Sequence, residues 1–246
     1  MSSPENQSAA LREDADLETS GEGYAGRFAG PVGEWFLAEQ ARHTLELLAP
    51  WPGARVLDVG GGHGQLTGPL LAAGYSVTVA GSDPACRTRL DRLLPGGGFD
   101  FLAGDLRHLP WPDRAFDAVL CFRLLPHAHD WQDLVRELCR LAGRTVIVDY
   151  PDRKSVNVIA DRMFGLKKAV EKNTRHFTLF RYPEVAGAFQ AQGFTRLDKR
   201  PQFFWPMALH RALGRRGLAA GLEGLARSLG LTGLWGSPVI LRACPE

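Results

Sequence analysis

Five short apolar runs in the central part of the chain alternate with segments whose apolar residues recur at helical spacing. The runs predict strands at 56–59, 75–80, 99–102, 117–122 and 145–149. The segments predict helices at about 65–73, 86–94 and 131–141. Strands that alternate with helices predict an α/β fold, a doubly wound and mostly parallel sheet with helices on both faces. In such sheets, ligands bind at the carboxyl ends of the strands.

Further elements are predicted on both sides of this region. Apolar residues at helical spacing predict a helix from 34 to 48, which Pro50, Pro52 and Gly53 end. Near the C-terminus, the pattern predicts a helix at 181–192, a sixth strand at 194–199 and 202–204, and a seventh at 238–243. The segment 205–237 is longer than the usual connection of about 4–6 residues. Its leucines at helical spacing predict one or two extra helices.

The composition is that of a globular protein with one domain. The chain has 246 residues, of which 45% are hydrophobic and 23% charged, and its net charge is +2. Residues 1–20 carry five acids, one arginine and few apolar groups, which predicts a disordered acidic tail before a single domain at 21–246. Because there is no strong basic excess, we expect no nucleic acid partner.

The cysteines and the apolar runs bear on the compartment. The four cysteines are dispersed without a C-x-x-C pair, which is typical of reduced, buried thiols in a cytosolic protein. No apolar run approaches the roughly 18 residues of a membrane span, and the acidic, polar N-terminus has no signal-peptide pattern. We therefore expect a cytoplasmic protein without an integral membrane segment.

The first strand runs into a glycine-rich stretch, Asp58-Val59-Gly60-Gly61-Gly62-His63-Gly64. Glycine allows a sharp turn and a close approach of ligand to backbone, and the helix that follows directs free N–H groups into that space. A dinucleotide fingerprint requires a third glycine where Gln65 or Thr67 stands, and a P-loop requires G-K-[ST], which is absent. Both readings are excluded by spacing, whereas D-x-G-x-G-x-G fits.

This pattern resembles the first motif of the class I S-adenosylmethionine (SAM) dependent methyltransferases, in particular the type 11-like, small-molecule branch. The resemblance implies a Rossmann-like sheet of seven strands with the last one antiparallel, and SAM as the cofactor. It also implies an acid at the end of the second strand to bind the ribose hydroxyls. The expected position holds Gly81, and the acid comes two residues later, at Asp83. The alternative for Asp83 is a cap of the following helix.

A second stretch that matches the family lies about 47 residues after Asp58. An isolated aspartate in a turn would not have to stand at this separation. Residues 103–117 resemble the family pattern G-D-x-x-x-L-P-[FW]-x-x-x-x-F-D. The resemblance implies that the Asp105 carboxylate binds the adenine amino group and that the Leu106 N–H meets a ring nitrogen. The competing interpretation is that Asp105 bonds to its own backbone in a turn.

The fourth strand ends in a loop that the resemblance places beside the transferred methyl group. The backbone at Phe122 is a candidate to hold the cofactor amino group. His127, His129 and Tyr150, in that order, are candidates for a general base, which is needed only if the acceptor must lose a proton. His127-x-His129 alone is a weak metal signal without a third ligand nearby, so we predict no metal.

The resemblance also places Tyr24 and Arg27 over the cofactor, where Arg27 would pair with its carboxylate. Segments at about 24–45, 152–180 and 205–236 are expected to form a lid that shapes the substrate site. Overlapping the last of these, the stretch 200–216 mixes aromatic and basic residues, which leaves a peripheral membrane or lipid-substrate contact open. Base stacking is a further alternative, but a buried edge strand and an amphipathic helix are favoured.

These motifs predict a SAM-dependent methyltransferase that acts on an O, N or C nucleophile of a small molecule by in-line displacement. S-adenosylhomocysteine is the product expected from the cofactor. The alternative is a module that binds SAM or its product without turnover and serves regulation or a partner. The sequence does not define the acceptor or the oligomeric state.

Overall fold

The computed structural model describes residues 15–156 and 177–246, which form a sheet of seven strands flanked by helices. The strands follow the order β3-β2-β1-β4-β5-β7-β6. Strands β1 to β5 pair in parallel, and β7 is inserted antiparallel between β5 and β6. The strands are β1 (Arg55–Val59), β2 (Ser76–Gly81), β3 (Phe99–Ala103), β4 (Phe116–Cys121), β5 (Ala142–Tyr150), β6 (Arg196–Phe203) and β7 (Ser237–Cys244).

The helices lie before, between and after these strands. They are α1 (Asp16–Thr19), α2 (Glu22–Ala25), α3 (Gly30–Leu48), α4 (Thr67–Ala72), α5 (Thr88–Leu93), α6 (Trp131–Leu141), α7 (Tyr182–Gln190), α8 (Met207–Leu213), α9 (Arg216–Ser228) and α10 (Leu231–Trp235). The predicted α/β sheet with its antiparallel last strand is confirmed. The predicted one or two helices after β6 are three in the structure.

The sheet is covered on both faces because its central strands are apolar throughout. Leu57 and Val59 of β1 belong to one buried cluster, and Val56, which precedes them, belongs to the cluster on the opposite face. Side chains of successive strand residues point to opposite faces, so this alternation is what a strand between two helical layers requires. The carboxyl ends of β1, β4 and β5 are thereby fixed beside one another.

A third apolar cluster joins α3 to the C-terminal helices. Trp35 and Phe36 of α3 pack on Phe203 at the end of β6, and the rings of Phe36 and Phe203 have centroids 3.9 Å apart. The Glu223 side chain of α9 is also buried, and it contacts His210, whose ring packs on Trp35 and Phe36. The predicted lid segment at 205–236 is therefore attached to the helix that precedes β1.

The predicted disordered tail at 1–20 extends too far. Residues 15–20, which we call the N-terminal segment, include the helical turn α1, and both Ala15 and Asp16 are buried. The acid count predicted disorder, but the Asp16 carboxylate finds backbone and thiol donors in the fold. Residues 1–14 of the predicted tail and 157–176 of the predicted lid lie outside the described residues.

Within the parts of the chain that the structure describes, no helix is both long and apolar enough to cross a bilayer.

Candidate active site

The glycine stretch forms a tight turn at the carboxyl end of β1. Gly60 and Gly64 have φ angles of 74° and 77°, in the left-handed region that favours glycine. Gly61 has a different requirement: a Cβ there would lie 2.3 Å from the carboxyl carbon of Asp58. The turn therefore holds the backbone close against the Asp58 side chain.

Two buried titratable groups flank this turn. Burial raises the pKa of Asp58, which is 2% exposed, to about 7. Burial lowers the pKa of His63 to about 3, with further contributions from Arg123 and Arg89. The His63 ring meets Tyr24 and Phe28 edge-on at centroid distances of 5.9 and 6.0 Å. Near neutral pH, His63 is thus an uncharged imidazole under an aromatic cover.

The N-terminal segment lies against the same turn. Asp16 Oδ2 accepts hydrogen bonds from the Ser82 backbone N–H at 2.8 Å and from the Cys86 thiol at 3.3 Å. Ser20 packs on Gly62 so closely that a Cβ at residue 62 would lie 2.2 Å from its hydroxyl oxygen. The space left over, which we call the glycine cavity, is only about 10 Å³. The residues around it are Thr19, Asp58, Gly60, Gly61, His63, Gln65, Leu66, Phe122 and Arg123.

The two acids that the sequence assigned to the cofactor are both engaged in local turns. Asp83 Oδ1 accepts the Ala85 N–H at 2.8 Å and caps the short helix there. Asp105 accepts the Arg107 N–H at 3.1 Å and contacts the His108 ring at 3.2 Å. Burial raises the pKa of Asp105, but these two partners outweigh it and leave that pKa below its ordinary value. Leu106 is fully buried, in the same apolar cluster as Ala15.

A second and larger cavity, the apolar cavity, opens beside the ends of β4, β5 and β7 with a volume of about 310 Å³. Ligand pockets in proteins start at about this size. Its wall is mostly aromatic and aliphatic, with a few polar groups. The lining residues are Tyr24, Phe28, Phe36, Gln40, Arg123, Pro126, His127, Asp149, Tyr150, Pro151, Phe177, Phe203, Met207, Ser237 and Pro238.

Gln40 of α3 connects the two cavities through hydrogen bonds. Its Nε2 donates to Asp149 Oδ2 at 2.8 Å. Its Oε1 accepts from Arg123 Nη2 and from Gln65 Nε2, both at 3.1 Å. Asp149 Oδ1 also accepts the Arg123 backbone N–H at 2.6 Å. One side chain of the lid helix thus joins the loops that follow β1 and β4 to the end of β5.

Arg123 lies in the wall of both cavities. Its guanidinium carbon stands 4.0 Å from the centroid of the Phe28 ring, a cation–π arrangement. Its φ angle is 61°, a conformation that residues with a side chain rarely adopt. Such strain concentrates at functional sites. Burial lowers the pKa of Arg123, yet the group stays cationic because its ordinary value is so high.

The other predicted residues divide into two groups. His127 and Tyr150 line the apolar cavity together with Tyr24, and the Tyr150 hydroxyl is buried without a hydrogen-bond partner among residues 15–156 and 177–246. His129 is exposed and lies outside the cavity wall. Arg27 is also exposed, and it pairs with Glu18 at 3.3 Å over the Tyr24 ring.

Sequence reasoning missed Asp16, Gln40, Arg123 and Asp149. Asp149 ends the predicted fifth strand, at the sheet edge where ligands bind, so its position was a usable signal. Gln40 is a polar residue on the buried face of α3, a combination that is uncommon unless the side chain has partners. In the described part of the chain, no group of three potential ligands could hold a metal ion.

The sheet with an inserted antiparallel β7 and the glycine turn at the end of β1 are those of the Rossmann-like methyltransferase fold. Residues 57–145 match the family described as a methyltransferase domain. Over these residues the chain resembles the class I SAM-dependent methyltransferases.

Curated relatives match part of the chain. The chain is 33% identical over 120 residues to the ubiquinone/menaquinone biosynthesis C-methyltransferase UbiE of Ectopseudomonas mendocina, a match that covers 44% of this chain and 46% of that protein. It is 29% identical over 197 residues to the demethylmenaquinone methyltransferase of Thermobifida fusca, covering 70% and 82%. The chain thus spans about half the length of the UbiE relatives that it matches.

Solved structures share the fold. The magnesium protoporphyrin IX methyltransferase of Synechocystis with bound S-adenosylhomocysteine has a TM-score of 0.58 at 18% identity, covering 85% of this chain and 84% of that one. The putative methyltransferase in complex with the Trm112 activator of Haloferax volcanii has a TM-score of 0.61 at 18% identity, covering 96% and 98%.

Proposed function

We propose that the protein transfers a methyl group from SAM to a small, largely apolar acceptor. One observation carries the proposal: the glycine cavity beside buried Asp58 and the apolar cavity of about 310 Å³ lie at the same sheet edge and share Arg123 in their walls. The cofactor supplies an electrophilic methyl group on a sulfonium, which leaves as the thioether S-adenosylhomocysteine. Adjoining cavities suit this reaction because donor and acceptor must be held in line.

The chemistry of the glycine cavity fits this cofactor. Thr67 Oγ1, Gln65 Oε1 and both ring nitrogens of His63 are buried without a hydrogen-bond partner among the described residues, and a polar ligand satisfies such groups. Asp58, Gly60, Gly62 and Gly64 with the backbone at Phe122 would hold the amino-acid part. Asp105 and Leu106 would hold the adenine, and Asp83 the ribose, once Asp83 and Asp105 exchange their present local bonds. Tyr24 and Arg27 would cover the site.

The apolar cavity is the proposed acceptor site. Phe28, Phe36, Phe177 and Phe203 supply a wall that suits a flat ring, and Asp149 supplies the polar contact that orients it. Relatives of the chain are named as methyltransferases of ubiquinone, menaquinone and demethylmenaquinone biosynthesis. We extend this to a ring of the quinol or phenol type as the acceptor of this chain.

Two groups in the acceptor cavity suit the movement of a proton. Burial raises the pKa of Asp149 above its ordinary value, although the bonds from Arg123 and Gln40 oppose this. Burial also raises the pKa of Tyr150. Tyr150 is therefore suited to donate a hydrogen bond to a bound acceptor, and Asp149, as the carboxylate, is suited to accept a proton from it. His127 lines the same wall and is the second candidate base; His129 lies outside it.

A module that binds the cofactor without turnover is the second candidate. Two observations favour it: Asp83 is used as a helix cap, and the N-terminal segment fills part of the glycine site. Measurement of cofactor binding and of methyl transfer on the same protein separates the two functions.

The test measures binding and turnover on the full chain. Calorimetry with S-adenosylhomocysteine is expected to give one site per chain, and tritium from methyl-labelled SAM is expected in an extractable quinol or phenol product. Asp149→Asn should leave binding in place while lowering label transfer. Binding without transfer to any acceptor would support the regulatory module, and absence of binding would contradict both functions.

Cofactor affinity is expected to rise with pH up to the pKa of Asp58, about 7. The folded chain holds a proton on Asp58 that the unfolded chain releases near 3.8. This group therefore stabilises the fold at low pH, and its contribution is lost as pH rises towards 7. A cationic ligand group beside Asp58 favours the carboxylate, so binding of SAM releases a proton below pH 7.

The measurement is calorimetry of SAM between about pH 6 and pH 8 in buffers of different ionisation enthalpy. Below the pKa, affinity should change by about tenfold per pH unit, with about one proton released. His63 stays neutral throughout because its pKa is about 3. Asp58→Asn should give a flat profile, and a flat wild-type profile would remove Asp58 from the cofactor site.

Partners and compartment follow from the proposed acceptor. A cytoplasmic location, with lipid or membrane contact through the helices after β6, stays a prediction. The lipid or membrane contact is supported by leucines that α9 and α10 expose: Leu218, Leu225 and Leu234 are 53%, 58% and 65% exposed.

A further inference from the structure

The N-terminal segment occupies the part of the glycine site that lies between β1 and β2. Asp16 Cβ would lie 3.6 Å from a Cβ at Gly60, and the Ser20 hydroxyl 2.2 Å from one at Gly62. Two glycines of the turn thus accommodate side chains of the chain's own N-terminal segment. Ala15 belongs to the apolar cluster that contains Leu106.

The Asp16 carboxylate completes this contact at the end of β2. The Ser82 N–H and the Cys86 thiol both donate to Oδ2. Burial, and after it the negative charge of Asp16, raises the pKa of Cys86 to about 11. The thiol therefore keeps the proton that it donates. Asp16 is completely buried, yet its Oδ1 has no hydrogen-bond partner among residues 15–156 and 177–246. The segment therefore blocks the site without satisfying all of its own polar groups.

A second set of contacts fastens the segment from outside. Glu22 lies two residues after the segment and accepts hydrogen bonds from Arg89 Nη1 at 2.7 Å and from Arg92. These two bonds lower the pKa of Glu22. Arg89 also donates to the His63 carbonyl at 2.9 Å, so the fastening is anchored on the glycine turn itself. Arg27 and Glu18 add a further ion pair at 3.3 Å.

We infer that residues 15–20 act as an internal plug of the cofactor site, so that binding of SAM requires release of this segment. The inference rests on the proposed function, because it takes the glycine turn as the cofactor site. The cavity of about 10 Å³ that the plug leaves has room for about one water. Apparent affinity is then the intrinsic affinity reduced by the fraction of open molecules. Anything that binds the segment elsewhere raises cofactor affinity.

The test compares variants of the full chain by calorimetry with S-adenosylhomocysteine. Asp16→Ala removes both hydrogen bonds and is expected to tighten binding by about tenfold. Asp16→Asn keeps an oxygen for the Ser82 N–H and should lie between Asp16→Ala and the wild type. Glu22→Ala removes exposed pairs and should tighten binding by about two- to fivefold. The matched control is Asp91→Ala, which breaks the exposed pair with Arg87 on the same helix as Arg89 and Arg92.

The sign of the Asp16→Ala effect separates two roles of this carboxylate. If Asp16 instead replaces the ribose acid that is missing at Gly81, its removal weakens binding, and the plug is overturned. Equal affinity in wild type and variant overturns it as well.

Hydrogen exchange gives a readout that does not depend on affinity. S-adenosylhomocysteine should speed exchange at residues 15–22 and slow it at 60–64, and protection of both would overturn the plug. If neither the wild type nor the Asp16→Ala protein binds S-adenosylhomocysteine, while the substitution alone speeds exchange at 15–22, the assignment of the cofactor site fails. The contact of the N-terminal segment with the glycine turn is then still supported.

Discussion

The Gly61→Ala protein is expected to transfer the methyl label about 100-fold more slowly than the wild type and to bind S-adenosylhomocysteine more weakly. The added methyl group has no room, because a Cβ at residue 61 lies 2.3 Å from both Cγ and Oδ2 of Asp58. Asp58 is buried at the end of β1, so the collision moves the carboxyl group or opens the turn. A displacement of about 1 Å in a site that orients reactants lowers the reaction rate by about two orders of magnitude. Calorimetry and label transfer measure the loss.

Gly96→Ala is the matched control. Gly96 stands in the loop between α5 and β3, its φ, like that of Gly61, lies outside the left-handed region, and no heavy atom lies within 4 Å of a Cβ placed there. This variant should bind as the wild type does. If Gly61→Ala keeps wild-type affinity while its fold is intact, the turn is not the cofactor site and the proposed function fails at its first step.

The sheet was predictable because its signals are local. Each strand of the central five is a short apolar run, and the glycine stretch marks where β1 ends and a turn begins. Strand ends were less predictable: β5 begins at Ala142, three residues before the predicted start. Gly143 and Arg144 carry no strand signal of their own. They are extended because the register of β5 on β4 begins with Ala142 opposite Phe116.

The polar network between the cavities was not predictable from local signals. Gln40 and Asp149 are separated by 109 positions, and Asp16 and Ser82 by 66. In both pairs, the sequence around one residue contains no pattern that identifies the other residue as its partner. Only the packing of α3 and α1 on the sheet brings them together, and burial then selects the hydrogen bonds.

Asp83 and Asp105 show a different limit. The motif that contains Asp105 stands in its expected place, yet in the structure its carboxylate serves a local turn. A short acid can bond to its own backbone or to a ligand with nearly the same geometry. Sequence therefore identifies the position of such a residue, and only a bound cofactor decides which partner it takes. Both assignments stay predictions.

The Glu223→Ala protein is expected to lose about 3–5 kcal/mol of its free energy of unfolding. Glu223 is 2% exposed and accepts three hydrogen bonds at 2.9 Å, from the Phe204 N–H, the Trp205 N–H and His210 Nε2. Alanine removes the acceptor of all three donors, two of which make buried contacts and the third, the Trp205 N–H, a partly buried one. Such a loss is a large share of the roughly 5–15 kcal/mol that stabilises a domain. Urea denaturation followed by circular dichroism measures it.

Two further variants show whether the loss comes from these bonds. Glu223→Gln keeps one oxygen and the shape of the side chain, so its loss should lie between those of alanine and the wild type. Glu46→Ala removes an exposed glutamate of α3 and should change stability by less than about 1 kcal/mol.

Because His210 and Phe203 also contact Phe36, loss of Glu223 should loosen the side of the apolar cavity that Phe36 and Phe203 form. The Km for the acceptor should then rise at temperatures where the Glu223→Ala protein is still folded, while affinity for S-adenosylhomocysteine stays unchanged. A parallel loss of both affinities would show that the C-terminal helices support the whole site rather than the acceptor side alone.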